Sequence, residues 1–214
     1  MTDPFLRRRL RRARLKLSQH EQREHAEAVC QRLLSNGLLH AAKRIALYLP
    51  LPGELDPLPI QARLQGHRRW YLPVLRQHAP GRLWFVRFET RSGLKRNRFG
   101  ILEPVAHHRR ILPPQGLDLI LMPLVGFDAQ CHRIGMGAGF YDRSLAFLRS
   151  RQHWQRPRLI GLAHECQRLD AIEPEPWDLP MDAVATECAL YQRRPRSYQR
   201  KPLSSTATAL DAGE

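Results

Sequence analysis

The sequence predicts an α/β fold of three layers, a mostly parallel sheet flanked by helices. Three observations predict it. Strand-like and helix-like segments alternate along the chain, the pattern of helices packed on a sheet. The run DLILM at 118–122 is apolar enough for a strand covered on both faces, as strands of parallel sheets are. Pro123 then removes a backbone donor, and the chain leaves the ladder toward a glycine-rich stretch, RIGMGAGFYDR at 133–143.

The elements follow in order. From Phe5 to Leu17, the residues Leu6, Leu10, Ala13 and Leu17 fall at helical spacing, with arginines on the other faces. Ser18 and Glu21 form a capping box that starts a second helix. Its buried stripe is Ala26, Val29, Cys30, Leu33 and Leu34, and Gly37 suits a left-handed stop. Arg44 to Leu49 reads as a strand, after which Pro50, Pro52 and Gly53 force a loop carrying Glu54 and Asp56. Asp56, directly before Pro57, is read as the cap of a short helix over 57–66 ended by Gly66. Glu54 has no such task, and open parallel sheets bind ligands beyond the ends of their strands. Arg69 to Leu75 and Arg82 to Phe88 are further strands, joined by a turn over 77–81. Residues 90–114, rich in polar residues, Gly and Pro, read as one long surface excursion containing FGILEP.

After the 118–122 strand come a turn, the glycine-rich loop and a helix from about Gly139 to Arg151. Arg158 to Ala163 is a strand. Its successors His164, Glu165 and Cys166 are immediate neighbours whose side chains point apart, so they read as a loop lining a pocket rather than as a metal or thiol site. Trp177 to Asp182 precedes a last strand, Ala183 to Thr186, and either Asp178 or Asp182 could be a turn residue or join a metal. Residues 1–192 form one domain, and 193–214 form a basic, core-free tail expected to be disordered.

The glycine-rich loop carries the chemistry. Gly135, Gly137 and Gly139 alternate with Met136 and Ala138, so little side-chain bulk keeps the backbone from a ligand, and its N–H groups can turn inward as an anion nest. Arg133 before the loop can clamp phosphate oxygens, and Asp142 after it can hold the Mg2+ that accompanies a nucleotide. A tight strand-to-helix crossing would account for the glycines but not for the flanking charges. The outline is Rossmann-like without a dinucleotide fingerprint, because G-x-G-x-x-G would need glycine where Phe140 stands. No P-loop motif occurs either, which disfavours nicotinamide enzymes and P-loop ATPases.

No apolar run approaches the ~18 residues of a membrane span, and the N-terminal residues lack a secretory apolar core. The expectation is a cytoplasmic monomer with no membrane contact. Its four cysteines, without C-x-x-C spacing, are expected to be reduced. The net charge of +15 raises nucleic acid as a partner, yet much of that charge lies at the two ends. Neither end has the interleaved aromatics of a single-strand binding face, so nucleic acid is not the expected partner.

Several stretches together resemble the 5-formyltetrahydrofolate cyclo-ligase (5,10-methenyltetrahydrofolate synthetase) family: LYLPLPGELD at 47–56, ILEP at 101–104, DLILMPLVGFD with RIGMGAGFYDR, GLAHECQ at 161–167 and WDLPMDAVATE at 177–187. The resemblance covers roughly Leu6 to Thr186. It implies an ATP-dependent ligase that phosphorylates the N5-formyl oxygen of 5-formyltetrahydrofolate, after which N10 attacks and phosphate leaves. ATP would be cosubstrate and Mg2+ the cofactor, and the folate could carry a polyglutamate tail.

By the same resemblance, Arg133, Ile134, Gly135, Met136, Gly137, Ala138 and Gly139 wrap the ATP phosphates, with Arg7 reaching them from the first helix. Phe140 and Tyr141 lie between nucleotide and pterin, Leu49 and Glu54 contact the folate, and Asp142 and Asp178 hold the metal. Arg133 and Tyr141 are the residues implied for catalysis. The sequence departs from the family pattern at Asp3, where a phosphate-binding lysine is usual, so that Arg8 or Arg11 substitutes or nucleotide affinity falls. It departs also at Cys131, often glycine, and at Phe140, more commonly tyrosine. The rival readings are a relative that binds nucleotide or folate without turnover, and a basic RNA-associated protein.

Overall fold

The computed structural model describes residues 3–64, 66–76, 81–89, 93–97, 99–105, 111–150 and 156–193. The tail from 194, and all but the last residue of the turn at 77–81, lie outside the described residues.

Helix α1 spans Pro4–Leu15, and Asp3 caps it by accepting from the Phe5 N–H at 2.8 Å. Helix α2 spans Gln19–Ser35 behind the Ser18–Glu21 capping box, both of whose reciprocal bonds form. It ends at Asn36 with Gly37 at φ 69°, the left-handed stop expected there. Strand β1 is Arg44–Ala46, α3 is Leu58–Arg63, β2 is Arg69–Leu75 and β3 is Leu83–Phe88. Asp56 accepts from the Leu58 N–H at 2.9 Å one residue ahead of the N-cap, which is Pro57 and not the Asp56 expected there.

The excursion over 90–114 holds more structure than expected. Leu94–Arg96 (β4) pairs antiparallel with Leu102–Pro104 (β5), and Ile111–Leu112 (β6) joins the main sheet beside β3. Three residues or fewer give no alternation to read, and the described ends of β4 are exposed.

Strand β7 is Leu119–Pro123, followed by a hairpin of Gly126–Phe127 (β8) and Arg133–Ile134 (β9). The expected helix over 139–151 is broken. Helix α4 covers only Phe140–Ser144, and Ala146–Ser150 winds on as a 3-10 helix. Ser144 accounts for part of this, because its hydroxyl turns back to the Phe140 carbonyl at 2.6 Å and accepts from the Leu83 N–H at 2.7 Å. Strands β10 (Arg158–Leu162), β11 (Ala183–Ala185) and β12 (Leu190–Gln192) complete the chain.

The eight-stranded sheet has the order β12-β11-β10-β7-β1-β2-β3-β6. Its five central strands, β11, β10, β7, β1 and β2, are parallel, and β12, β3 and β6 join antiparallel at the edges. Side chains of alternate residues go to opposite faces. Ile45, Leu119, Leu121 and Ile160 pack with Val29, Leu33 and Ile60 of α2 and α3. Ala46, Ile120, Met122 and Leu159 pack on the other face with Leu145 and Leu148. Three layers result, as expected.

From β1 the chain steps one way to β2, while β7 and then β10 lie on the other side. The strand order therefore reverses between β1 and β7, and a crevice opens beyond their C-terminal ends, the place where open α/β sheets bind ligands. Helix α1 covers neither face of the sheet. Leu10 packs instead with Val125 and Ile134 of the hairpin region, which sets the helix across that crevice. No helix among the described residues is long and apolar enough to cross a membrane.

Candidate active site

Two strand ends and one helix build the site. The loop after β1 brings Leu49, Gly53 and Glu54; the β8–β9 hairpin delivers Arg133 and the glycines; α1 closes the third side. Arg7, Arg11 and Arg14 recur at i, i+4 and i+7, so one face of α1 presents all three. Arg7 Nε donates to the Gly135 carbonyl at 3.2 Å and Arg11 to the Met136 carbonyl at 3.3 Å. Arg14 donates to the Leu124 carbonyl at 3.2 Å. Asp3 is spent as the helix cap, and Arg11, not Asp3, sits beside the loop.

The glycines differ in what they do. Gly137 and Gly139 have φ of 96° and 63°, a conformation costly for any other residue, and Gly139 precedes the first residue of α4. Gly135 has no such φ, and a methyl group there would meet nothing within 4 Å, so the space over it is open. Cys131 adopts φ 66° in the turn before β9.

Arg133 is buried and donates to Asp142 Oδ1 and to the Leu179 carbonyl. The expected phosphate clamp and the expected metal ligand are thus joined to each other, and the Leu179 contact ties in the segment that carries Asp178. Asp178 also accepts from the Glu175 N–H at 3.0 Å, whereas Asp182 accepts from Leu159 N–H at 2.7 Å and so caps the sheet. Asp142 and Asp178 remain partly exposed oxygen donors, the ligand type that Mg2+ takes.

Glu54 is buried, and its carboxylate is engaged on both oxygens: Oε1 by Arg14 at 3.3 Å, Oε2 by the Leu51 N–H at 3.1 Å. Burial pushes its pKa up, and the Leu51 and Arg14 contacts only partly oppose this. Tyr141, in α4, feels charges from both halves of the site. Burial and the nearby Glu54 charge raise its phenol pKa, while Arg133 acts in the opposite sense. Phe140 packs edge-on against Phe99, centroids 5.8 Å apart, with the Arg143 guanidinium 5.7 Å from its ring. A cleft of about 690 Å3 opens beside Glu54, between Leu51 and Pro52 on one wall and Gln22 and Arg23 on the other. Leu49 is partly buried against the core on the α2 side of the sheet.

The profile of the 5-formyltetrahydrofolate cyclo-ligase family matches residues 2–187. The chain belongs to the 5-formyltetrahydrofolate cyclo-ligase family. It is 36% identical over 186 residues to the 5-formyltetrahydrofolate cyclo-ligase of Escherichia coli K12, covering 86% of this chain and 99% of that one. The Haemophilus influenzae protein of the same name is 36% identical over 179 residues, 82% of this chain and 92% of its own. The solved 5,10-methenyltetrahydrofolate synthetase of Aquifex aeolicus superposes with a TM-score of 0.76 at 28% identity, covering 94% of this chain and 97% of that one.

Among residues that sequence reasoning missed in this cyclo-ligase family member, Arg14 is the most consequential. One arginine in a run of them carries no mark of burial, although its spacing from Arg7 and Arg11 placed it on the loop-facing side. Arg143, at the end of the glycine-rich stretch, donates to the Gly81 carbonyl at 3.0 Å and to the Ala138 carbonyl, bracing the loop from outside. Asp128, fully buried, accepts from the Gln130 and His132 N–H groups and so shapes the turn that presents Arg133. Glu165 is satisfied by Thr186 and Tyr191, each at 2.6 Å, and is not part of the site.

Proposed function

We propose that the crevice beyond β1 and β7 carries out the ATP-dependent cyclisation of 5-formyltetrahydrofolate to 5,10-methenyltetrahydrofolate, releasing ADP and phosphate. The observation that carries this reading is the glycine loop held between Arg7 and Arg11 of α1 on one side and the buried Arg133, joined to Asp142, on the other. Tyr141, which feels the charges of both Arg133 and Glu54, would lie between a nucleotide on that loop and a pterin over Glu54.

In this reading Arg7 and Arg11 line one side of the phosphates and the 135–139 backbone the other, with Ile134 and Met136 at its edges. Arg133 turns from Asp142 to the transferring phosphoryl group, where a preorganised cation stabilises developing charge. Asp142 and Asp178 would hold Mg2+, which neutralises phosphate charge when bound. The formyl oxygen takes the γ-phosphoryl group and ADP departs. N10 then forms its bond to the formyl carbon, loses its proton, and the oxygen leaves as phosphate. Glu54, fixed by Arg14 and Leu51, orients the pterin, with Leu49 beside it, while Phe140 and Tyr141 supply stacking surface and exclude water. The Arg23 side of the cleft suits the carboxylates of a polyglutamate tail.

The rival readings lose their footing here. Arg11, which donates to the Met136 carbonyl, would take the part of the missing lysine that favoured a non-catalytic relative. Three of the arginines that favoured RNA are directed inward to backbone carbonyls. The chain is proposed to act as a monomer in the cytoplasm. The test mixes purified protein, Mg2+ and 5-formyltetrahydrofolate with and without ATP and follows the methenyl-folate absorbance band. A rise that requires ATP is expected; no rise with ATP bound would transfer the reading to the non-catalytic relative.

A further inference from the structure

Three side chains with no part in the proposed reaction converge beside the site from three separate elements. His25 comes from the middle of α2, His164 from the end of β10, and Glu187 from the turn between β11 and β12. The Nδ1 atoms of the two histidines are 2.9 Å apart, and His25 Nδ1 is 3.6 Å from Glu187 Oε1. One ligand atom from each lies within 4.8 Å of the others. Donors bound at about 2.0–2.1 Å around a tetrahedral cation are separated by about 3.3 Å, and the two closest distances straddle that value.

Hydrogen bonds fix the Glu187 carboxylate and the backbone at His164. The Glu165 backbone N–H donates to both oxygens of Glu187 at 3.1 Å, and Arg32 fixes the turn by donating to the Thr186 and Glu187 carbonyls. The His164 N–H donates to the Gln167 side chain at 2.9 Å. His164 is fully buried, and its Nε2 makes no hydrogen bond in this structure; the Gly53 backbone lies next to that ring. His25 and Glu187 are partly exposed, which leaves a solvent-facing position for a water.

We propose that His25, His164 and Glu187 form a second metal site, for a divalent transition cation of the Zn2+ class. Two imidazoles and one carboxylate select such ions over Mg2+, which prefers all-oxygen octahedra. Bound there, the ion ties α2, the end of β10 and the β11–β12 turn together next to Gly53, the residue before Glu54. The site is independent of Asp142 and Asp178 and does not depend on the reaction assigned to the crevice.

Full-length protein stripped by a chelator is titrated with Co2+ and followed by its visible d–d absorption, then with Zn2+ by calorimetry. We expect one equivalent to bind with tetrahedral-type bands, and His25→Ala and Glu187→Gln each to weaken binding more than tenfold. Zn2+ should raise the unfolding temperature of the parent chain and leave that of His25→Ala unmoved, while metal-free His25→Ala melts close to the metal-free parent. Co2+ bands of equal strength in His25→Ala would place the ion on other side chains and overturn the assignment, as would the absence of stoichiometric binding by the parent chain.

Discussion

Arg14 and Glu54 meet at 3.3 Å with each side chain only 4% exposed, a buried ion pair between the first helix and the loop after the first strand. Removing one partner leaves the other charge buried and uncompensated. Arg14→Met should therefore lower the unfolding free energy by about 3 kcal/mol at pH 7. Adding Glu54→Gln to that variant should recover part of the loss. Urea denaturation measures both, and a loss below about 1 kcal/mol, the range of exposed pairs, would mean that solvent reaches the carboxylate.

Glu54→Gln alone keeps the size of the side chain and the acceptor for the Leu51 N–H but loses the charge. Folate use should weaken, seen as a raised KM for 5-formyltetrahydrofolate, with ATP binding retained. Unchanged folate kinetics would remove Glu54 from the pterin site.

Asp142→Ala should reduce turnover by about 100-fold or more, the scale of one lost electrostatic group. Asp142→Asn separates two explanations, because an amide oxygen still accepts from Arg133 but is a poorer Mg2+ ligand. An Asn variant as impaired as Ala, and partly rescued by raised Mg2+, supports the metal role. An Asn variant with full activity would assign the aspartate to holding Arg133.

Arg11→Ala takes away the cation that stands beside the Met136 carbonyl. The KM for MgATP should rise about tenfold, the worth of one modest charged hydrogen bond, with kcat little changed. An unaltered KM would leave the work of the missing lysine to another group.

Acid stability should depend on Asp118, at the start of β7. Burial alone would raise its pKa, but the Arg44 guanidinium and the Arg44 and Lys43 N–H groups outweigh that and hold it below the ordinary value. A carboxyl lowered on folding stabilises the protein fully above its unfolded pKa, near 3.8, and the benefit disappears as pH falls through the lower folded value. Asp118→Asn should thus be less stable than the parent at pH 7 by about 2 kcal/mol, with the gap narrowing only below pH ~4. A gap that stays constant down to acid unfolding would show that shape, not charge, makes the contribution.

The layers and the crevice were legible because they rest on long signals: alternating segments, a five-residue apolar strand, a capping box. The glycine loop was legible because its residue types are unusual. The β8–β9 hairpin was not, since two residues per strand carry no periodicity, and its shape depends on Asp128 accepting from two N–H groups across a turn. His164 was read by its neighbours in sequence, which do point away from it. Its partners His25 and Glu187 are brought to it only by the fold. Cys131 illustrates a local conflict that the sequence did reveal: a non-glycine residue at φ 66°, buried in the core. Cys131→Gly and Cys131→Ala lose the same sulfur, so Gly should be the more stable of the two by about 1 kcal/mol.

The position of α1 governs when the site can come into being. Its arginines grip carbonyls at Leu124, Gly135 and Met136, more than a hundred residues further along the chain. During synthesis the helix emerges ahead of these partners and waits for the last of them. A ribosome stalled before the hairpin therefore carries a nascent chain with β1 and β2 made but α1 undocked. Closure of the crevice is a late event, and the first dozen residues are among the last to reach their places.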